Sequence, residues 1–322
     1  MSVPRITVVT PTLNQGHLIE DTLRSVLDQD YPNLEYIVVD GGSTDGTLDV
    51  LRRYERRITR WISGPDRGQA DAINKGLAMG TGEICAYLNS DDLYEPGALH
   101  RVAADFAGSD DGTWHAYPVQ DFCQDAPRRL HDAPGLSRRL GNVQKEQAIS
   151  IANDLMLWTV GRVRLHQPGV FWRRSQWVDS KGFDVRYEYA FDRHFFMKLL
   201  SAGHRLITHD GPAIARFRLH ETSKTGIHYR GVVNPFVRER MRIADEFEPR
   251  LTEAERRIAR KTRIEDDISA AWRMFRGGSS RQDCYRWLAA LAVSRRTVLA
   301  NRFFWGSALR FLFATRPGQS WP

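Results

Sequence analysis

Tyr87-Leu88-Asn89-Ser90-Asp91-Asp92-Leu93-Tyr94-Glu95-Pro96 decides how the rest of this chain is read. The apolar run from Ile84 to Leu88 reads as a short buried strand that stops at a polar cluster with two adjacent acids. Adjacent carboxylates repel, and are tolerable when solvated or when a cation sits between them and a bound anion. Mg²⁺ and Mn²⁺ take oxygen ligands, often one or two carboxylates plus phosphate oxygens. The carboxyl end of a buried parallel strand is also where open α/β sheets bind ligands. A metal–diphosphate site is one reading of the decapeptide. The other is a helix start near Pro96, capped by Ser or Asp.

Working back toward the N-terminus, the same pattern recurs. Ile6 to Thr10 reads as a strand that Pro11 closes, followed by a helix from about Gln15 to Gln29. Leu18, Ile19, Thr22, Leu23, Val26 and Leu27 fall on one face of that helix. Leu34–Asp40 is a second buried strand, and a glycine turn leads from it into a helix through Tyr54. Trp61–Ser63 is a short third strand. The loop Gly64–Gly68 and a helix Gln69–Met79, ended by Gly80, lead to the fourth strand, Glu83–Leu88. Strand–helix alternation predicts a parallel sheet with crossover helices. The strand ends carry Thr10–Asn14, Asp40, Asp66 and Asn89–Asp92, so polar groups converge on one sheet edge, as at a ligand site. The turn after the first strand, Pro11-Thr12-Leu13-Asn14-Gln15-Gly16, has no Gly-x-Gly-x-x-Gly, which excludes a dehydrogenase-type Rossmann domain. A Walker-A loop is also missing.

At 322 residues the chain is long enough for one large domain with an extension, or for two. Its three cysteines, Cys85, Cys123 and Cys284, are far apart and lack metal-ligand spacing, which points to a reducing cytoplasm. The apolar run near the N-terminus reads as too short for a signal peptide, and no stretch approaches the roughly 18 apolar residues of a membrane span. The net charge is +7. Most of it lies between Arg281 and Arg316, where seven arginines face one acid, Asp283. Such a tail suits an anionic surface or is a solvated face. Nucleic acid is not expected, because no recognition module accompanies the charge.

With these residues in place, the chain from about residue 4 to 226 resembles the inverting family 2 glycosyltransferases of the GT-A fold. The matching pieces, in family order, are TPTLNQGHLIEDTLRSVLDQDYPNLEYIVVDGGSTDGT and GPDRGQADAINKGLAMGTGEICAYLNSDD. A weaker block follows: HQPGVFWRR, KGFDVRYEYAFDRHFFMKLLSAGH and RFRLHETSKT. The resemblance implies a nucleotide-binding, mostly parallel α/β sheet flanked by helices, with a C-terminal helical extension. It implies transfer of a sugar from a nucleotide-diphosphate-sugar to a carbohydrate acceptor, lipid-linked in many relatives, with Mn²⁺ or Mg²⁺.

Asp40 is then the acid at the nucleoside, with Thr10, Pro11, Asn14 and Ser43 lining the same pocket. Asp66 and Arg67 look like the pair near base and diphosphate, and Asp71 and Lys75 share the next helical face. Asp91 looks like the metal-binding acid, flanked by Asn89, Ser90 and Asp92; a strict version of the motif has Asp at residue 89. Asp192 matches the catalytic base, with Glu188 as its nearby rival. In the loop His220-Glu221-Thr222-Ser223-Lys224, His220 is either a metal ligand or a hydrogen-bonded surface residue, and Lys224 is placed near the diphosphate. Gln167 and Trp172 line the acceptor site or are core.

The expected domains are residues 1–234, the transferase, and 235–322, a basic helical extension. In the extension Ile264, Ile268, Ala271, Trp272 and Phe275 have helical spacing, and Ser280 starts a helix running to about Arg302 or past Gly306. That extension either packs on protein or touches an anionic bilayer, which would make the protein cytoplasmic and peripheral on the inner face of the membrane. Two other readings stand beside this one. A sugar-1-phosphate nucleotidylyltransferase would want a Gly-rich Arg/Lys turn after strand one, and a non-catalytic nucleotide-sugar binder would leave its donor intact.

Overall fold

The structure, a computed structural model, describes residues 3–122, 165–220, 223–224, 235–250, 280–294 and 302–313, with single positions between 253 and 299. The chain divides into two compact units, Met1–His220 and Glu221–Pro322.

In the first unit the alternation is β1 (Ile6–Thr12), α1 (Ile19–Leu27), β2 (Leu34–Asp40), α2 (Thr47–Tyr54), β3 (Arg60–Ser63), α3 (Gln69–Met79) and β4 (Ile84–Tyr87). There follow β5 (Leu93–Tyr94), α4 (Ala98–Ala107), β6 (Thr113–Ala116) and β7 (Val119–Phe122). Beyond residue 164 come β8 (Val170–Arg173), α5 (Arg174–Asp179), α6 (Phe191–Ser201), β9 (Arg205–Thr208) and β10 (Ala215–Arg218).

The main sheet has seven strands in the order β3-β2-β1-β4-β8-β6-β9. The first four pair in parallel, with Ile6 opposite both Leu34 and Ile84. β8 runs against both its neighbours, β4 and β6. A small sheet, β5-β10-β7, stands apart from this one.

β1 continues beyond Pro11, where the sequence reading ends it. The backbone explains why. The carbonyl of Val9 accepts from Leu88 N, so Pro11, two residues on, turns its missing N–H to the same β4 side. That ladder has already ended at Val9–Tyr87, whereas β2 pairs on to Thr12–Asp40. α1 is shorter than expected because Gln15–Leu18 form a turn first.

β1 and β4 are buried along their whole length, as a central parallel strand requires. α1 buries Ile19, Thr22, Leu23 and Val26 against the sheet. α3 lies close on β1 because it has Gly76 there: a Cβ at that position would stand 2.4 Å from Val9 Cγ1. On the β8 side the core is aromatic. Trp172 meets Tyr87, Phe183 and Phe195 edge-on, so Trp172 is a packing residue, buried completely.

The second unit contains α7 (Pro235–Phe247), α8 (Arg281–Ser294) and α9 (Arg302–Phe313). α8 begins where the sequence predicts. Ser280 Oγ accepts from Asp283 N at 3.1 Å and donates to its carboxylate at 2.7 Å, a reciprocal cap. The helix ends at Ser294, and a separate α9 passes through Gly306. Ile268, Ala271 and Phe275 pack with Cys284, Leu288, Leu291 and Phe304, with Ile264 alongside. Trp272 and Cys123 lie outside the described residues.

Candidate functional site

The carboxyl ends of β1 and β2 form one stitched surface. Asn14 sits in the left-handed region at φ 53°, a conformation Asn tolerates well. Its N–H donates to Ser43 Oγ at 2.7 Å, and its side-chain oxygen accepts from Thr44 N at 2.9 Å. Thr10 Oγ1 and Tyr36 OH share a buried hydrogen bond of 2.9 Å just below.

Asp40, fully buried at the end of β2, collects four donors. Gly42 N and Ser43 N each donate at 3.0 Å, Ser63 Oγ at 2.6 Å, and Ser43 Oγ reaches the other oxygen. A carboxylate offers about four lone-pair sites, so this acid is satisfied by its own loop and by β3. Ser63 was not singled out from sequence, although its position opposite Asp40 in the ladder is a strand-end signal.

Asp66 lies over the same loop. One of its oxygens accepts from Gly68 N at 2.8 Å. The other stands 2.7 Å from where a Cβ of Gly41 would be, so a larger residue there would push the Asp66 carboxylate aside. On α3, buried Asp71 accepts from Arg67 Nη2 at 2.9 Å and pairs with Lys75 Nζ at 3.1 Å. Burial pushes its carboxyl up, but these hydrogen bonds outweigh burial and hold it down at about 2. The Arg67 head stays exposed.

After β4 the two acids part company. Asp92 is completely buried; it accepts from Arg218 N at 3.0 Å and from Asn89 Nδ2 at 3.1 Å. Burial, and then the charge of Asp91, push its carboxyl well above the usual range. Asp91 is only partly buried, with its Oδ2 2.9 Å from His220 Nε2. Asn89 is used on both sides. It accepts from Gln69 Nε2 at 2.6 Å and also approaches Gln167 Oε1 at 3.4 Å, while Gln167 Nε2 donates to Tyr87 O at 2.5 Å. Ser90 is buried beside them. Gln69 and Arg218 escaped the sequence reading. Arg218 could have been found from strand alternation, since it lies two residues before His220.

Asp192 opens α6, half-buried, and accepts from Arg193 N at 2.7 Å. Phe191, the residue before it, packs on the Tyr87 ring with centroids 6.0 Å apart. Burial, then the charges of Asp192 and Asp92, push this phenol well above its ordinary value. Glu188 is exposed in the turn before the helix. Lys224 is exposed and belongs to the second unit.

Among the described residues no three His, Cys, Asp or Glu side chains are grouped to hold a metal. Asp91 and His220 nevertheless form a two-ligand set, their facing atoms 2.9 Å apart. That set fits a divalent ion which draws the rest of its shell from phosphate oxygens and water.

A parallel sheet with polar strand ends, an acidic loop after β4 and an antiparallel β8 beside it defines the GT-A type of nucleotide-binding α/β fold. Residues 7–156, just under half of the chain, match the model of the family described as Glycosyl transferase family 2. TuaG of Bacillus subtilis, named as a teichuronic acid biosynthesis glycosyltransferase, is 43% identical over 101 residues, covering 30% of this chain and 40% of that protein. A PGL/p-HBAD biosynthesis glycosyltransferase of Mycobacterium tuberculosis is 38% identical over 108 residues, 32% of this chain and 42% of that protein. The chain thus spans under half the length of these relatives. Among solved structures, residues 1–349 of S. aureus TarS with UDP-GlcNAc superpose with a TM-score of 0.62 at 19% identity, covering 95% of this chain and 89% of that one. The mannosyltransferase PcManGT of Pyrobaculum calidifontis, with GDP-Man and Mn²⁺, gives 0.58 at 21% identity, covering 97% and 88%. At these identities the likeness defines the fold alone.

Proposed function

We propose that this protein is a metal-dependent, inverting glycosyltransferase that moves a sugar from a nucleotide-diphosphate-sugar to an acceptor hydroxyl, in surface polysaccharide synthesis on a lipid-linked acceptor. The observation that carries the reading is the pairing of Asp91 with His220 at the sheet edge, with the start of the Asp192 helix packed on Tyr87 through Phe191. The relatives named for teichuronic acid and PGL/p-HBAD synthesis support the substrate class.

The nucleoside lies on the stitched β1–β2 loops, against Thr10, Pro11, Asn14 and Ser43. Because Asp40 is already engaged by its own loop and by Ser63 of β3, it acts there by shaping that loop, and Asp66 offers the acceptor atom nearer the base. Arg67, Lys75 and Asp71 form the wall toward the diphosphate, with Asn89, Ser90 and Asp92 behind it. Asp91 and His220 would hold Mn²⁺ or Mg²⁺, which supplies charge neutralisation for the leaving diphosphate.

In the reaction the acceptor O–H gives its proton to the Asp192 carboxylate. The acceptor oxygen bonds to the anomeric carbon from the face opposite the diphosphate, and the bond from that carbon to the diphosphate oxygen breaks. Asp92, buried and accepting from Arg218 N and Asn89 Nδ2, fixes the acidic loop behind Asp91. The second unit supports contact with an anionic bilayer on the cytoplasmic face. It exposes Trp287, Val293, Trp305 and Leu309 in a stretch of sequence rich in arginines, each of which adds about 1 kcal/mol near such a surface. No described helix is long and apolar enough to cross a membrane.

Calorimetric titration with UDP, GDP and dTDP, each with Mn²⁺ and with EDTA, tests the donor site. One nucleotide should bind in a metal-dependent way. A folded protein that binds none of them overturns the proposal, and a donor that stays intact with bound metal and acceptor replaces the transferase with a binder.

A further inference from the structure

Arg218, the last residue of β10, is one of the largest fully buried side chains in the described residues. A guanidinium cannot shed its charge, and burying it is unfavourable unless its donors find partners. Its Nε donates to the main-chain carbonyl of Asp91 at 2.8 Å, and its Nη2 to Asp21 Oδ2 on α1 at 3.1 Å. The plane lies over the Phe122 ring, 4.8 Å from the centroid. Its own N–H donates to Asp92. Two residues further along the same chain, His220 faces the Asp91 carboxylate.

The side chain therefore grips the peptide that carries Asp91, while its backbone leads directly to His220. We propose that Arg218 is a positioning residue for the diphosphate end of the donor site. It holds Asp91 and His220 face to face before the ion and nucleotide arrive, so that binding does not have to order them. This inference rests on the glycosyltransferase reading. Arg218 itself touches neither donor nor acceptor. Its charge is already engaged by Asp21 and the Asp91 carbonyl, and what it contributes is the alignment of two ligands that lie 129 residues apart in sequence.

Two variants of the full chain test it. Arg218→Lys keeps the charge but offers one nitrogen, which cannot serve the Asp91 carbonyl and Asp21 together. Asp21→Asn, at a half-exposed partner, removes the anion at the far end of the guanidinium and leaves the Nε bond. Free Mn²⁺ is measured by electron paramagnetic resonance with the nucleotide that the wild type binds, beside nucleotide affinity in EDTA. Arg218→Lys should weaken Mn²⁺ uptake by about tenfold or more, with metal-free nucleotide affinity changed by less than about twofold. Transfer should recover as Mn²⁺ is raised, and Asp21→Asn should move in the same direction by less. If Arg218→Lys does not fold, the same split in Asp21→Asn decides.

Wild-type Mn²⁺ uptake in the Lys variant overturns the inference. So does an equal loss of metal-dependent and metal-free binding, which is what a merely structural arginine would give. A wild-type chain that takes up no Mn²⁺ with any nucleotide defeats the functional reading itself, and this inference with it.

Discussion

Asp91 and Asp92 are adjacent in sequence and different in chemistry. One is partly buried and meets an imidazole, and the other is completely buried and accepts from Arg218 and Asn89. Replacing Asp91 with Ala should therefore abolish the metal-dependent part of nucleotide binding. Asp192→Asn should leave donor binding in place and slow transfer by about 10² to 10⁴. Calorimetry and turnover with the same donor separate the two; normal turnover by Asp192→Asn would move the base role to Glu188. Asn89 is a harder test of the local chemistry. Asp at this position would keep the bond from Gln69 but lose both donations and add a third carboxylate, so Asn89→Asp should cost about 1–3 kcal/mol, read from a urea midpoint. The residue types at the strand ends were legible in the sequence because each sits where a periodic run stops. Their partners were not: Gln69 and Gln167 reach Asn89 across 20 and 78 residues, separations that leave no local pattern.

At the scale of elements, β1 to β4 were readable because each strand and helix shows its own period over a few residues. The direction of β8 was not, since an antiparallel strand of four residues looks locally like a parallel one. Close approach was equally hidden. Gly76 looked like any helix glycine, yet α3 depends on it against Val9, so Gly76→Ala should destabilise by about 1–3 kcal/mol through overpacking, measured by denaturant unfolding. A second element-level prediction concerns β6 and β9. His115 Nδ1 and His209 Nε2 meet at 2.8 Å, stacked between Phe106 and Tyr117, with Asp105 near His209 and Arg101 over the Tyr117 ring. Burial, then the charges of His209 and Arg173, lower His115 to about 3 from an ordinary 6.5. The unfolded chain thus binds a proton that the folded one refuses. The contribution is fully present above pH 6.5 and is lost as pH falls from there toward about 3. Urea unfolding at pH 7.5 and 5.0 should show that loss, and His115→Phe should flatten it.

The molecule as a whole carries its charge unevenly. The first unit holds the acidic site, and the second gathers arginines with exposed tryptophans on α8 and α9. The full chain should sediment with vesicles rich in anionic lipid and much less with neutral ones, in a salt-sensitive way. The pair Trp287→Ser and Trp305→Ser should weaken that association; equal sedimentation of both proteins would remove the bilayer from the account. The reversed strand β8 has a further consequence. Donor-side loops leave the sheet edge from the ends of β1, β2 and β4, whereas β8 begins at that edge, straight after the Gln167–Gly169 turn. The two halves of the site are thus supplied by opposite ends of their strands, from stretches far apart in the gene. On the proposed transferase function, changes in the Gln167–Gly169 turn would then reshape the acceptor side while the loops after β1, β2 and β4 stay as they are.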